Sequence, residues 1–167
     1  MIQGYLLDTN IFEYWLNKSR PEHAAVTSHL AKLHPDVPVR TSMIVLGEVS
    51  YGFQVATPKR RAYSQEVLEF IRGQFPRPLS IRSSTTLVYG MLRAALFDKY
   101  APKRNRKGLR PEQLIDPVSS KSLGIQENDL WISAQALEHN LVLVTNDQMK
   151  HLRSVASDLK VENWAIG

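Results

Sequence analysis

Apolar residues occur along this chain as short blocks that end abruptly in polar clusters, and that pattern predicts its elements. Tyr5-Leu6-Leu7 runs directly into Asp8-Thr9-Asn10, after which apolar residues recur at helical spacing (Ile11, Phe12, Trp15, Leu16). The pattern predicts a strand over Tyr5 to Leu7 and a helix from Asn10 to about Lys18. Pro21 opens a second helix through roughly Leu33, which Pro35 to Pro38 breaks, and Val37 to Arg40 is a candidate second strand. Thr41 or Ser42 is placed to cap a helix carrying Ile44, Val45, Leu46 and Val49 and ending near Gly52. Pro58 suits the first position of a further helix, with Tyr63, Val67, Phe70 and Ile71 on one face. Leu79 to Arg82 reads as a third strand, and Ser83 or Ser84 as the cap of a helix through Leu92, Ala95 and Leu96. From Glu127, with Asn128 as the expected cap, a helix that is apolar on most sides leads past Asn140 into Leu141–Val144, a continuous apolar run of interior-strand type. Strands alternating with helices predict an α/β chain with a parallel sheet.

The totals change this picture in four ways. A length of 167 residues, 43% hydrophobic content and a mean hydropathy of −0.26 suit one globular domain with its own core. No apolar run reaches the roughly 20 residues of a membrane span, and no basic-then-apolar leader is expected at the start. The absence of cysteine removes disulfides, thiolate metal sites and cysteine nucleophiles, and it fits a cytoplasmic protein. A net charge of +5 and a pI near 9.6 favour a polyanionic partner, nucleic acid before membrane.

Part of that charge is concentrated. Lys59, Arg60 and Arg61 crowd the start of a predicted helix, either as a solvated face or as a phosphate-contacting patch. The segment Asp98–Lys121 holds Lys99, Lys103, Arg104, Arg106, Lys107 and Arg110, interrupted by Pro102, Gly108, Pro111 and Pro117. It reads as a long loop, either a solvated excursion or a basic arm, with Arg104, Arg106 and Lys107 as candidate contacts to RNA or a partner protein.

The candidate chemistry is carboxylate chemistry. Asp8 falls where a strand passes into a helix, and in open parallel sheets that edge is where ligands bind. Asp147 repeats the arrangement after Leu141–Val144, and Asp129 opens the helix leading to that strand. Glu48 lies mid-helix on or beside an apolar face, where a carboxylate is costly unless paired or bound to a cation. Each acid taken singly is explained as a cap or a rim glutamate; together they could be gathered at one sheet edge. Gathered unpaired, they would repel and raise one another's pKa values, which a hard oxygen-seeking cation such as Mg²⁺ or Mn²⁺ relieves. His139 suits a helix end, and both it and His151 are left outside the expected site.

The motifs L-L-D-T-N, T-S-x-x-x-x-G-E, N-D-L-W-I-S-A and V-T-N-D, in this order, resemble those of the PIN domain, specifically the VapC type of toxin ribonuclease. The resemblance spans Leu6 to about Leu152. It implies a three-layer α/β/α fold with a short, mainly parallel sheet; the length reads as a single domain over 1–167, in which the basic segment at about 98–121 is a loop insertion. It also implies metal-dependent endonucleolytic hydrolysis of RNA with one or two Mg²⁺ or Mn²⁺ ions. Carried over residue by residue, Asp8, Glu48, Asp129 and Asp147 match the acidic quartet, and Thr9, Asn10, Thr145 and Asn146 match polar positions beside it. The expected partners are an RNA substrate, a cognate antitoxin and a second copy of the chain. The basic segment departs from the family's usual shorter link.

The competing reading is a non-catalytic RNA-binding or scaffold module on the same kind of fold. A D-x-D phosphatase would need an acid where Asn10 stands. A phosphoaspartyl receiver would need a strand-end lysine, which Thr145-Asn146-Asp147 does not provide.

Overall fold

The computed structural model describes residues 3–104 and 106–166. In chain order the elements are β1 (Tyr5–Leu7), α1 (Thr9–Leu16), α2 (His23–Lys32), β2 (Val39–Arg40), α3 (Met43–Val55), α4 (Pro58–Gln74), α5 (Ser83–Tyr100), α6 (Glu127–Glu138), β3 (Val142–Val144), α7 (Lys150–Arg153) and β4 (Val161–Glu162). The strands form one sheet in the order β2-β1-β3-β4, and every pairing is parallel. The chain is thus α/β with a short parallel sheet, as its alternation predicted.

The two central strands are the ones the apolar runs marked. Leu6, Leu7, Leu143 and Val144 are fully buried, and β1 lies in register with β3 from Tyr5↔Val142 to Leu7↔Val144. Parallel strands covered on both faces need such uninterrupted apolar runs. Gly4 leads into β1 with φ +137°, and a Cβ there would lie 2.2 Å from the Pro38 carbonyl oxygen, so only glycine fits where β1 meets the approach to β2. The helices pack in two groups. α1 contacts α2, α3 and α4, α5 contacts α6 and α7, and α3 meets α6 to join them. Among the described residues, no helix is long and apolar enough to cross a membrane.

Four expectations change. Leu79 to Arg82 is not a strand: Leu79 forms a single parallel bridge with Ser42. Its N–H donates to the Thr41 carbonyl (2.8 Å) and its carbonyl accepts from Met43 N–H (2.9 Å). The ladder stops there because the partner segment turns into α3 at Met43. The helix expected to be capped at Asn128 starts earlier, with Gln126 at the cap. Two carboxylates satisfy its first amides, Asp129 Oδ2 accepting from Gln126 N–H (2.7 Å) and Glu112 Oε1 from Glu127 N–H (2.8 Å). α5 likewise begins at Ser83 with Arg82, not a serine, at its cap position, and Thr85 Oγ1 accepts from Arg82 N–H (3.0 Å). Finally, α7 and β4 were not anticipated, since four and two residues are too short to show a period. Beyond β4, Trp164 is 2% exposed and meets Tyr5 edge-on at 4.9 Å, which pins this edge strand to the sheet.

The basic segment is also more ordered than a free excursion. Its first residues, Asp98–Tyr100, are the last turn of α5. Pro111–Gln113 form a 3₁₀ turn, Ile115 and Ser122 pair antiparallel, and Pro111, Leu114, Leu123 and Ile125 are buried. Arg106 folds back to donate to the Pro102 carbonyl (2.8 Å) and to Asp98 (3.1 Å), while Arg104 and Lys107 stay exposed.

Candidate active site

Asp8 follows β1 directly and caps α1, and its N–H continues the ladder to the Val144 carbonyl at 3.0 Å. The side chain is therefore held at the carboxyl end of the two central strands, and it is 9% exposed. Its Oδ1 accepts from Thr9 N–H (2.7 Å), and its Oδ2 from the Thr145 hydroxyl (2.7 Å) and the Asn10 amide (3.2 Å). Thr145 is fully buried, and its hydroxyl oxygen also accepts from Asn10 Nδ2 (3.0 Å) and Asp147 N–H (3.1 Å). Asn10 Oδ1 in turn accepts from Asn146 N–H (3.1 Å). The polar residues after β1 and those after β3 thus form one network whose acceptor of most bonds is the Asp8 carboxylate.

The other two acids come from helices. Glu48, in the middle of α3, accepts from the Thr9 hydroxyl on one oxygen and from Asn128 Nδ2 (2.7 Å) on the other. Asp129 stands in the first turn of α6, one residue beyond Asn128. The contact of α3 with α6 brings Glu48 and Asn128 together across 80 positions of sequence.

The electrostatics show the acids acting on one another. Burial raises the pKa of Asp8; the Thr145 and Thr9 hydrogen bonds oppose that rise, and the charges of Glu48 and Asp147 add to it. Asp129 is pushed up to about 6, first by burial and then by the charges of Asp8, Asp147 and Glu48, against the hydrogen bond from Gln126. All four sequence-predicted acids are thus electrostatically coupled at one edge of the sheet. Among the described residues, no three of His, Cys, Asp and Glu are grouped as a metal-binding set. The donors are all oxygens and they raise one another's pKa values, which is the chemistry a hard divalent cation matches.

A cavity of about 140 Å³ opens beside Asp129 and Asp147, walled by Leu123, Ile125, Met149 and His151. His151 is 8% exposed and its Nδ1 lies 3.2 Å from the Tyr100 hydroxyl; burial and then Lys150 hold its pKa below the ordinary value. Sequence reasoning left His151 out and gave Asn128 a capping role; neither residue carries a local signal for its position. Tyr14, whose hydroxyl accepts from Asn146 Nδ2 (3.1 Å), was also missed, although its place on α1 beside the Asp8 motif pointed there. None of Arg104, Arg106 and Lys107 joins the hydrogen bonds of the acid cluster.

The raised Asp129 pKa has a consequence for stability. The folded state binds this proton more tightly than the unfolded chain does, so the stabilisation is complete below the ordinary value of 3.8 and is lost as pH rises through about 6. In chelating buffer, Asp129→Asn is therefore expected to melt higher than wild type at pH 7–8, by on the order of 2–5 °C, with the difference closing toward pH 4. A thermal melt of both proteins across that range checks the sign.

The family model described as the PIN domain matches residues 5–157 of the chain. The chain is 29% identical over 160 residues to Ribonuclease VapC2 of Rickettsia felis, covering 96% of this chain and 97% of that one. Among solved structures, VapBC2 from Rickettsia felis bound to a DNA fragment from their promoter superposes with TM-score 0.66 at 29% identity, over 98% of this chain and 99% of that one. FitAcB from Neisseria gonorrhoeae gives TM-score 0.70 at 22% identity over 98% and 99% of the two chains, a likeness of fold.

Proposed function

Because this chain belongs to the PIN domain family, we propose that it is an endoribonuclease, the toxin half of a toxin–antitoxin pair. The observation that carries this reading is the gathering of four acids around Asp8 at the carboxyl end of a parallel sheet, where burial first and then the neighbouring carboxylates lift Asp129 to about 6. The near end-to-end similarity to a protein named Ribonuclease VapC2 supports the ribonuclease reading, and the similarity to VapBC2 supports a cognate antitoxin as partner. A second copy of the chain is proposed as a further partner.

Asp8, Glu48, Asp129 and Asp147 would hold Mg²⁺ or Mn²⁺, as one ion or two. A bound ion supplies Lewis acidity, activating water for attack on a phosphodiester and stabilising charge on the leaving oxygen. The protein's own part is orientation. Thr9 N–H and the Thr145 hydroxyl fix the Asp8 carboxylate, Asn10 couples both strand ends, and Asn128 with Thr9 fixes Glu48. Asp129, titrating near 6, is largely ionised at pH 7 and becomes more so when a cation neutralises its neighbours.

The net charge of +5 favours one second reading, a non-catalytic RNA-binding module. Incubation of the purified protein with a mixed cellular RNA pool in Mg²⁺, in Mn²⁺ and in chelator separates the two. Discrete products that require metal are expected. RNA bound but uncut under all three conditions, in protein freed of antitoxin, would establish the binding module instead.

A further inference from the structure

Asp147 stands between two depressions. Beside the cavity already described lies a cleft of about 450 Å³ that shares Asp147, Gln148 and Lys150 with it. That volume falls within the roughly 300–1,000 Å³ range of small-ligand sites, and the cleft adjoins the acids directly. Its wall combines three chemistries: the cations Lys150 and Arg153, the amides Gln148 and Asn163, and the apolar side chains Val161 and Ile166.

Their states differ. Among the described residues no hydrogen bond holds the side chains of Gln148, Lys150 or Arg153, and all three are exposed. Asn163 is fixed: its Nδ2 donates to Asn146 Oδ1 (2.9 Å) and its Oδ1 accepts from Ala165 N–H (2.8 Å). Asn146 is joined through Asn10 to the Asp8 network, so the cleft floor is rigidly connected to the acid cluster. Ile166 is 66% exposed at the rim, an apolar face left open to solvent beside two unpaired cations.

A strand whose scissile phosphate approaches the acids must carry its neighbouring phosphates past carboxylates that repel them. Lys150 and Arg153 supply the compensating charge one step beyond Asp147. Val161 and Ile166 offer apolar contact to an unstacked base, and Gln148 offers both a donor and an acceptor to a base edge. A base paired in a duplex could not enter a cleft of this size. We propose that this cleft is a nucleotide subsite: it holds the nucleotide flanking the scissile phosphate of a single-stranded RNA, with Lys150 and Arg153 on phosphate and Gln148 on the base edge. The proposal rests on the ribonuclease reading above.

The test uses the full-length protein and single-stranded RNA oligonucleotides containing a mapped cleavage site. For Lys150→Ala/Arg153→Ala, kcat/KM is expected to fall about tenfold or more, with the change carried by KM. The slope of log affinity against log salt, measured in the Asp8→Asn background, should flatten by about 1.4, roughly 0.7 for each lost phosphate contact on a single strand. Gln148→Ala should broaden the base preference beside the cut. As a control, Lys59→Ala/Arg60→Ala removes the same charge from the exposed start of α4. Melting temperatures of all variants establish that they are folded. An unchanged KM and slope for Lys150→Ala/Arg153→Ala, in a preparation whose wild type cleaves, overturns the subsite and leaves the nuclease standing. An equal loss in the α4 control likewise overturns it in favour of diffuse charge. A wild type that neither cuts nor binds RNA removes the nuclease reading itself, and the subsite with it.

Discussion

Asp8→Asn is expected to lose RNA cleavage by far more than the roughly 10- to 100-fold that removal of an orienting partner costs a metal site. The comparison has a built-in reference in Thr145→Ala. Thr145 only positions the carboxylate, through its 2.7 Å hydroxyl bond to Asp8 Oδ2, so its loss should fall within that smaller range. The fold should survive Asp8→Asn. The retained side-chain oxygen still accepts from Thr9 N–H, and the departure of one buried charge from a repelling cluster offsets the acceptor that the Thr145 hydroxyl and the Asn10 amide lose. Its melting temperature in chelator should therefore not fall below that of wild type. Mg²⁺ or Mn²⁺ should raise the melting temperature of wild type, since a ligand that binds only the folded state stabilises it, and should raise that of Asp8→Asn much less. A folded Asp8→Asn protein with full activity would sink the assignment of Asp8, whatever the metal result.

The second large effect concerns stability. Gln135 is fully buried on α6, where its Oε1 accepts from the Ser42 hydroxyl (2.6 Å) and its Nε2 donates to the Leu79 carbonyl (3.1 Å). Ser42 is itself fully buried and caps α3 by accepting from Ile44 N–H (3.0 Å). One side chain thus ties the start of α3, the Leu79 bridge and α6 together. Gln135→Ala would open a cavity and leave the buried Ser42 hydroxyl proton and part of the Leu79 carbonyl without partners, a cost of about 2–4 kcal/mol. For a domain of this size that is a fall of roughly 5–15 °C in melting temperature. Urea or thermal unfolding measures it, and a change below about 1 kcal/mol would mean that the network contributes little. Activity should suffer at temperatures where the variant is still folded, because α3 and α6 carry Glu48 and Asp129.

The two effects separate what is written locally from what is assembled at distance. The apolar run of β1, the cap at Asp8, the Ser42 cap of α3, Pro58 at the first position of α4 and the buried β3 are all readable from neighbouring residues. Capping and hydrophobic periodicity are short-range effects, so the strand-end acids Asp8 and Asp147 and the helix acids Glu48 and Asp129 stand out within their own few residues of chain. The expected strand at Leu79 to Arg82 failed because pairing depends on the partner, and that partner turns into a helix after one bridge. β4 is two residues long and is held by Trp164 packing on Tyr5, a contact no local pattern announces. Asn128 looked like a cap, yet Glu112 and Asp129 satisfy the first amides of α6 and free Asn128 to reach Glu48.

By itself, then, the sequence determined the α/β class, the central strands and where the acids fall relative to the elements, because each is encoded within a few residues. Only the tertiary structure decided that Thr145 would hold Asp8 from 137 positions away, that α6 would begin at Glu127, and that the loop after α5 would bury Pro111, Leu114 and Leu123. Those outcomes are contacts between distant segments, and their free energy arises only when packing removes both partners from water.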